Sequence, residues 1–365
     1  MRPETVKPYQ ERIQKQQQKQ QQKQQLKLGI LDQSALLPGE TPTDAFRRTI
    51  ELAKLAERWG YSRFWVSEHH DTQRLAGSSP EVLLGALGAH TSRIRIGSAG
   101  VLLPHYSPFK VAENFRVLEA LYPGRIDLGI GRAPGGMPIA SQALRYGRAK
   151  PSDEQFPEVL RDLGGFLADR LEPGHRFEGV RAAPLIDTKP EIWLLGSSSY
   201  SAERAAELGA AFSFAHFING DGGHESLRGY FESYQPGPLG SEPDANVCVI
   251  VICADTDEEA ERLAFPVDLG LLLLEQGQFG RPFPTYEEAL DYPYTEWDRM
   301  RIQVNRSRML VGGPATVKEK MLEFAAAYGV RELIVVTFLA DAGARLKSYE
   351  LLAQAFELTE EQEGS

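Results

Sequence analysis

The residues whose side chains could most clearly take part in catalysis follow a short apolar run at positions 63–67. They are Glu68, His69, His70 and Asp71. An imidazole can give or take a proton near neutral pH, so at least one histidine is a candidate acid or base. Successive residues of an extended segment face opposite sides, which argues against both histidines binding one metal ion. A divalent metal site that also uses the two carboxylates stays open as an alternative.

A serine-rich turn is the second candidate for chemistry. It follows the apolar run 191–195, opens into a predicted helix, and contains Gly196, Ser197, Ser198, Tyr200 and Ser201. A helix N-terminus offers unpaired amides and the positive end of a dipole, and the hydroxyls add further donors. The turn therefore predicts a phosphate site, with ordinary capping of the helix by serine as the alternative.

Arginines and two further histidines follow other predicted strands. Arg132 comes after the strand at 125–130, and Arg145 or Arg148 in the next segment could join it in binding a phosphate with paired hydrogen bonds. His105 and His216 can face the same region. No zinc motif, serine-hydrolase elbow or complete dinucleotide-binding glycine pattern accompanies these residues.

The elements that must position these residues alternate along the chain. Short apolar runs typical of strands alternate with amphipathic helices, such as the one predicted at 43–59, which Thr41 or Thr43 can cap and Gly60 can end. About eight strands over roughly 330 residues predict a closed (β/α)8 TIM barrel, whose active site lies at the C-terminal ends of the strands. Segments 132–155, 274–300 and 218–244 are longer than ordinary connections and predict insertions at that face.

Composition narrows the possible partners. The chain has 365 residues and a net charge of −10. Its first 25 residues, mostly Gln and Lys, carry +4 and predict a disordered tail before a barrel domain at 26–365. The remaining body carries −14, which argues against a nucleic-acid partner. No apolar run is long enough to span a membrane, no signal peptide is recognisable, and two cysteines fit a reducing cytoplasm.

In their order along the chain, several segments resemble the luciferase-like monooxygenases, the family of bacterial luciferase and its alkanal-type relatives. The resemblance covers residues 27–356 and is carried by Leu28–Gln33, Trp65–His70, Ile96–Pro104, Gly124–Arg132, Leu195–Gly209 and Val311–Pro314. Ala342–Phe356 is similar to the branch described as luciferase-like class oxidoreductases. The resemblance implies reduced FMN bound over the C-terminal mouth of the barrel.

The resemblance also implies roles for individual residues. His69 and His70 match the histidine pair that acts beside the flavin, and Ala99–Gly100 falls where the family has a cis peptide under the flavin ring. Together with the anion site, this predicts that the cofactor is contacted by Ala99, Gly100, Gly131, Arg132, Arg145, Gly196, Ser197, Ser198, Tyr200 and Ser201. The catalytic residues are predicted to be His69 and His70, with no metal ligand.

The predicted activity is a monooxygenase that takes reduced FMN from a separate flavin reductase and uses dioxygen on a small organic substrate. Gly131 stands where luciferase has its reactive cysteine, so light emission is not expected. Relatives of this branch usually self-associate, which predicts a homodimer.

Three other functions stay open. They are a deazaflavin-dependent dehydrogenase or reductase on the same barrel, a flavin-binding protein without turnover, and a metal-dependent barrel hydrolase. The insertion at 274–300 could close over the flavin, or its aromatic side chains could pack it onto the barrel; they are Phe279, Phe283, Tyr286, Tyr292, Tyr294 and Trp297.

Overall fold

A closed ring of parallel strands forms the centre of the protein, seen in a computed structural model that describes residues 26–278 and 280–358. The ring runs from β1 in order to β7, then to β9 and back to β1, with β8 paired to the second half of β7. The described strands are β1 (Lys27–Asp32), β2 (Arg63–Val66), β3 (Arg95–Leu102), β4 (Ile126–Gly131), β5 (Glu191–Gly196), β6 (Ala211–Ala215), β7 (Ala245–Cys253), β8 (Met309–Gly312) and β9 (Glu332–Val336). The predicted (β/α)8 barrel is confirmed, and the predicted tail at 1–25 lies outside the described residues.

Helices surround this ring and cover its apolar outer face. Those described are α1 (Pro42–Trp59), α2 (Pro80–His90), α3 (Pro108–Leu121), α4 (Pro138–Arg145), α5 (Phe156–Leu167), α6 (Ser199–Leu208), α7 (Gly223–Ser233), α8 (Asp257–Glu275), α9 (Tyr286–Asp291), α10 (Glu296–Arg306), α11 (Pro314–Tyr328) and α12 (Ala342–Ala355). As predicted, Thr41 caps α1, in a capping box with Asp44, and Gly60 ends it in the left-handed conformation.

Segment 218–244 is not the insertion that its glycines and prolines suggested. It contains α7, which packs against α6 and connects β6 to β7 as an ordinary barrel helix. Buried Leu227 and Tyr230 provide its inner face, and the Tyr230 hydroxyl donates to the backbone oxygen of Ala210 at 2.9 Å. Helix α7 is short, and the glycines and prolines around it hide its helical pattern in the sequence.

The largest insertion stands between β7 and β8 and consists of α8, α9 and α10. Two contacts tie it to loops at the C-terminal ends of strands: Arg308 donates to the backbone oxygen of Ile218 at 2.9 Å, and the Arg74 guanidinium lies 5.9 Å from the ring centre of Phe283. Tyr286 and Tyr294 both pack against Phe265 of α8.

Tyr286 and Tyr294 therefore hold the insertion to its own helix. Trp297, by contrast, has 63% of its surface exposed. Phe279 lies outside the described residues.

The other end of the barrel is closed by a buried ionic network. Arg63, the first residue of β2, donates to Asp127 of β4 and to Glu332 of β9, each at 2.9 Å. Asp127 also accepts from the indole nitrogen of Trp65 at 2.8 Å and from Arg95. Because both carboxylates surround it, the pKa of Arg63 is raised in spite of its burial.

Aromatic packing continues this network into the barrel interior. The rings of Trp65 and Trp193 meet edge to face at 5.3 Å, and the Arg63 guanidinium lies 4.7 Å from the ring centre of Trp193. Above them, Ile250 and Ile334 are fully buried between the strands. Within the described part of the chain, no helix is long and apolar enough to cross a membrane.

Asp127→Asn tests how much the ionic network contributes to the free energy of unfolding. The substitution leaves Arg63 and Arg95 short of a buried negative charge, so we expect the free energy of unfolding in urea to fall by about 3 kcal/mol or more. Glu51→Gln, which removes one partner of the exposed Glu51–Lys54 pair, is the control and should change stability little. Equal effects of the two substitutions would contradict a structural role for the network.

Candidate active site at the C-terminal mouth of the barrel

His70 is held at the strand ends by a buried carboxylate. Its Nε2 atom lies 2.7 Å from Oε1 of Glu68, which also accepts from the Tyr106 hydroxyl at 2.6 Å. The second carboxylate oxygen accepts from the backbone nitrogen of Leu102 at 3.1 Å. Glu68 is almost completely buried. An ionised carboxylate accepts hydrogen bonds only, so this contact requires the proton on Nε2 and leaves Nδ1 as the atom that can exchange a proton.

Tyr106 belongs to this cluster although its sequence context did not single it out. It follows a short 3₁₀ helix, Leu103–His105, that turns the chain at the end of β3. Burial and the hydrogen bond to Glu68 raise the pKa of the Tyr106 hydroxyl well above its ordinary value. The phenol therefore stays protonated and donates to the carboxylate.

His69 has different surroundings from its neighbour. Its Nδ1 atom lies 3.1 Å from the Ser67 hydroxyl. Burial, with a contribution from nearby His70, lowers the pKa of His69 to about 4. The imidazole is therefore neutral at pH 7, where it can donate or accept a hydrogen bond but is a weak base. The two rings have separate partners, and among the described residues no group of three His, Cys, Asp or Glu side chains could hold a metal ion.

The peptide between Ala99 and Gly100 is cis, as the family resemblance implied. A Cβ atom at Gly100 would lie 2.8 Å from the backbone oxygen of Gly129, so only glycine fits where β3 and β4 approach. At Gly131 a Cβ atom would meet only the Leu102 side chain, at 3.2 Å. Backbone therefore forms much of this part of the mouth.

The serine-rich turn after β5 begins α6 without a side-chain cap. Ser198 stands at the cap position of α6, yet its side chain makes no capping hydrogen bond. Ordinary capping by Ser198 is therefore ruled out, and the first amides of α6 remain available to an anion. Gly196 is needed because a Cβ atom there would overlap the Ser201 side chain. The Ser197 backbone oxygen accepts from Asn219 at 3.1 Å, which joins the turn to the loop after β6.

Arg132 lies beside this turn, as predicted. Its guanidinium lies 4.2 Å from the ring centre of Tyr200 and forms an ion pair with Asp153 at 2.6 Å. The Tyr200 hydroxyl donates to the backbone oxygen of Asp153 at 2.8 Å. Arg132, Tyr200 and Ser201 line one small cavity, together with Arg204. The structure therefore brings a stacked arginine and a hydroxyl-bearing helix start to one point.

Arg145 does not line this small cavity. It lines a second and larger one, with Tyr106 and Arg148, on the other side of the 132–155 segment. The contacts of Arg148 are with backbone oxygens, that of His105 at 2.9 Å and that of Arg145 at 3.2 Å.

The other two histidines are buried, and each has a ring nitrogen in contact with a backbone oxygen. His216 is buried, with Nε2 3.0 Å from the backbone oxygen of Ser307 and Nδ1 2.9 Å from the Tyr328 hydroxyl. His105 is also buried and contacts the backbone oxygen of Pro134 at 3.1 Å. Both therefore position loops.

Comparison with known proteins agrees with this architecture. Residues 26–332 match the family model of the luciferase-like monooxygenases. The chain is 51% identical over 331 residues to the uncharacterized protein YwcH of Bacillus subtilis (strain 168), covering 91% of this chain and 99% of that one. It is 40% identical over 333 residues to the N-acetyl-S-alkylcysteine monooxygenase of the same organism, covering 90% and 98%.

A solved structure shows the same likeness in three dimensions. The crystal structure of apo-MsnO8 has 39% sequence identity and a TM-score of 0.80, and the match covers 92% of this chain and 99% of that one. Fold and relatives together define an oxidoreductase barrel of the monooxygenase class. The chain belongs to the luciferase-like monooxygenase family.

The depressed pKa of His69 predicts a pH-dependent stability. A histidine whose pKa falls from 6.5 to about 4 on folding stabilises the protein above pH 6.5 and loses that contribution as the pH drops toward 4. The difference in unfolding free energy between the wild type and His69→Gln should therefore change by up to about 3 kcal/mol across this interval. Urea unfolding at several pH values measures it.

His90→Gln is the matched control, because His90 is exposed at the end of α2. Its unfolding free energy should follow that of the wild type at every pH. A constant difference between the wild type and His69→Gln across the interval would show that His69 titrates normally in the folded protein.

Proposed function

We propose that the protein is an FMN-dependent monooxygenase that uses reduced FMN and dioxygen on a small organic substrate. The observation that carries this proposal is the serine-rich start of α6, with an uncapped Ser198, beside the Arg132 guanidinium stacked on Tyr200. These donors suit a phosphate monoester, and the family resemblance makes FMN the ligand that would present one. A flavin reductase supplies the reduced cofactor.

Arg132 and the turn would hold the phosphate from two sides. Ser197, Ser198 and Ser201 offer hydroxyl donors, and the first amides of α6 add theirs. Asp153 now balances the charge of Arg132, so a phosphate must share the guanidinium with this carboxylate or replace it. The cofactor ring would lie toward Ala99–Gly100, where backbone forms the wall of the mouth.

Bound reduced flavin supplies the electrons that activate dioxygen, and the protein supplies position and proton control. Neutral His69 can form a hydrogen bond with the substrate or cofactor side of the mouth, but burial makes it a weak base. Nδ1 of His70 can accept a proton there, because Glu68 keeps the proton on Nε2. Tyr106 donates to the same oxygen of Glu68, and the backbone nitrogen of Leu102 donates to the other, so the carboxylate is held in one orientation.

The setting and substrate extend the proposal. We place the protein in the cytoplasm as a homodimer. Because a relative with 40% identity is named an N-acetyl-S-alkylcysteine monooxygenase, S-alkyl thioethers are the first substrates to assay.

The phosphate site is tested by comparing FMN with riboflavin. In the double variant Ser197→Ala with Ser201→Ala, we expect FMN affinity to fall about tenfold or more, because two donors to a charged group are lost. Riboflavin, which lacks the phosphate, should bind the variant and the wild type alike. Fluorescence titration of the oxidised flavins measures both.

Ser233→Ala, an exposed helix position far from the mouth, is the control. An equal loss of FMN and riboflavin would contradict the phosphate assignment. If the wild type binds neither flavin but binds a deazaflavin cofactor, the proposed monooxygenase is wrong and the dehydrogenase or reductase is favoured.

His70→Ala tests the proton-exchanging role of the histidine pair. Loss of an acid or base should slow substrate oxidation by about a hundredfold, while FMN affinity stays within severalfold of the wild type. Stopped-flow mixing of protein-bound reduced FMN with dioxygen, with product and hydrogen peroxide quantified, gives the rate and the yield. His90→Ala should behave as the wild type. Loss of FMN binding without a separate change in rate or yield would assign His70 to the cofactor site instead.

A further inference from the structure

A cavity of about 440 Å³ lies beside the mouth, between the start of α3, the helix α5 and residues 176–180. Phe109, Phe166 and Phe177 form much of its wall, with the first two rings 5.1 Å apart. At its rim Phe177 remains 44% exposed and Val180 43% exposed. The volume suits a small organic molecule, and the open aromatic surface suits an apolar one.

The charges of this cavity are not balanced. Arg176 pairs with Glu158 and with Asp162, at 2.6 Å from the latter. Arg145 is only partly exposed and has no acidic partner among residues 26–278 and 280–358, and Arg148 contacts backbone oxygens only. A partly buried guanidinium without a counter-ion favours a ligand that brings a negative charge.

We propose that this cavity binds a small organic carboxylate, with its carboxylate on Arg145 and Arg148 and its apolar body against Phe109 and Phe177. The planar fork of a guanidinium matches a carboxylate with two parallel hydrogen bonds. In this assignment Arg145 binds the carboxylate and not the cofactor phosphate. Arg132 and the serine-rich turn can hold that phosphate without Arg145.

The cavity adjoins the candidate catalytic cluster. Tyr106 is part of its wall, and the same hydroxyl donates to Glu68 at 2.6 Å and lies 3.4 Å from Nε2 of His70. A carboxylate bound here therefore lies one side chain away from the histidine pair. That this carboxylate is the substrate rests on the proposed function. That the cavity binds a carboxylate does not.

The experiment is calorimetric titration of the full-length protein, without and with bound FMN, using 4-phenylbutyrate and its neutral analogue 4-phenylbutanamide. We expect the wild type to bind the carboxylate more tightly than the amide. Arg145→Gln should weaken carboxylate binding about tenfold or more and leave the amide nearly unchanged. Phe177→Ala should weaken both ligands, because it removes apolar contact. Arg228→Gln, an exposed arginine on α7, is the control and should change neither.

Three outcomes would overturn the proposal: no carboxylate binding by the wild type, an equal loss of both ligands in Arg145→Gln, or a loss of FMN relative to riboflavin in that variant. The last would return Arg145 to the cofactor phosphate. Because no turnover is measured, failure of the proposed monooxygenase activity would leave carboxylate binding intact, and the two results can be told apart.

Discussion

The buried contact between Arg63 and its two carboxylates is the interaction on which the rest of the barrel depends. It joins the first residues of β2 and β9 to the second residue of β4, and Arg95 adds the first residue of β3. Charges taken out of water are tolerated only when their partners are in place, so this cluster accepts one alignment of the strands. A shift of one residue in any of them would turn its side chains to the other face and separate the charges. The position of each strand end at the opposite face follows from that alignment.

The two ends of the barrel differ in how far their polar groups are paired with other groups of the protein. At the floor, both oxygens of Asp127 accept hydrogen bonds from Arg63, Trp65 and Arg95. At the mouth, Ser198 makes no capping hydrogen bond and, within the described part of the chain, Arg145 has no acidic partner. Unmet hydrogen-bonding capacity costs free energy unless a ligand or water meets it, and it is a common mark of a binding site. The stability that the ionic network gives to the barrel can offset the cost of these unpaired donors.

Local patterns predicted the parts of the fold that depend on nearby residues. The cap at Thr41 and the start of α6 after Gly196 both follow from residues within one or two turns. The family resemblance, rather than any local pattern, supplied the cis peptide after Ala99.

Features that depend on distant contacts escaped prediction. Tyr106 acquires its role from Glu68, 38 positions earlier in the chain, and nothing around the tyrosine signals it. The short strand β8 exists because it pairs with the end of β7, and Arg145 proved to line a cavity built by α3 and α5 rather than the serine-rich turn. In each case the contacting residues are close in space but far apart in the sequence, so local sequence patterns do not reveal the contact.

The ion pair between Arg132 and Asp153 has a thermodynamic consequence for the two cavities. Asp153 belongs to the same 132–155 segment that carries Arg145, and its backbone is bonded to Tyr200. An anion that displaces Asp153 from Arg132 acts on that segment, and so does an anion that binds Arg145. Linkage is reciprocal: any free energy by which the first ligand alters the binding of the second must equal that by which the second alters the first. A coupling between the two cavities would therefore appear equally in the affinity of each ligand, whichever of them binds first.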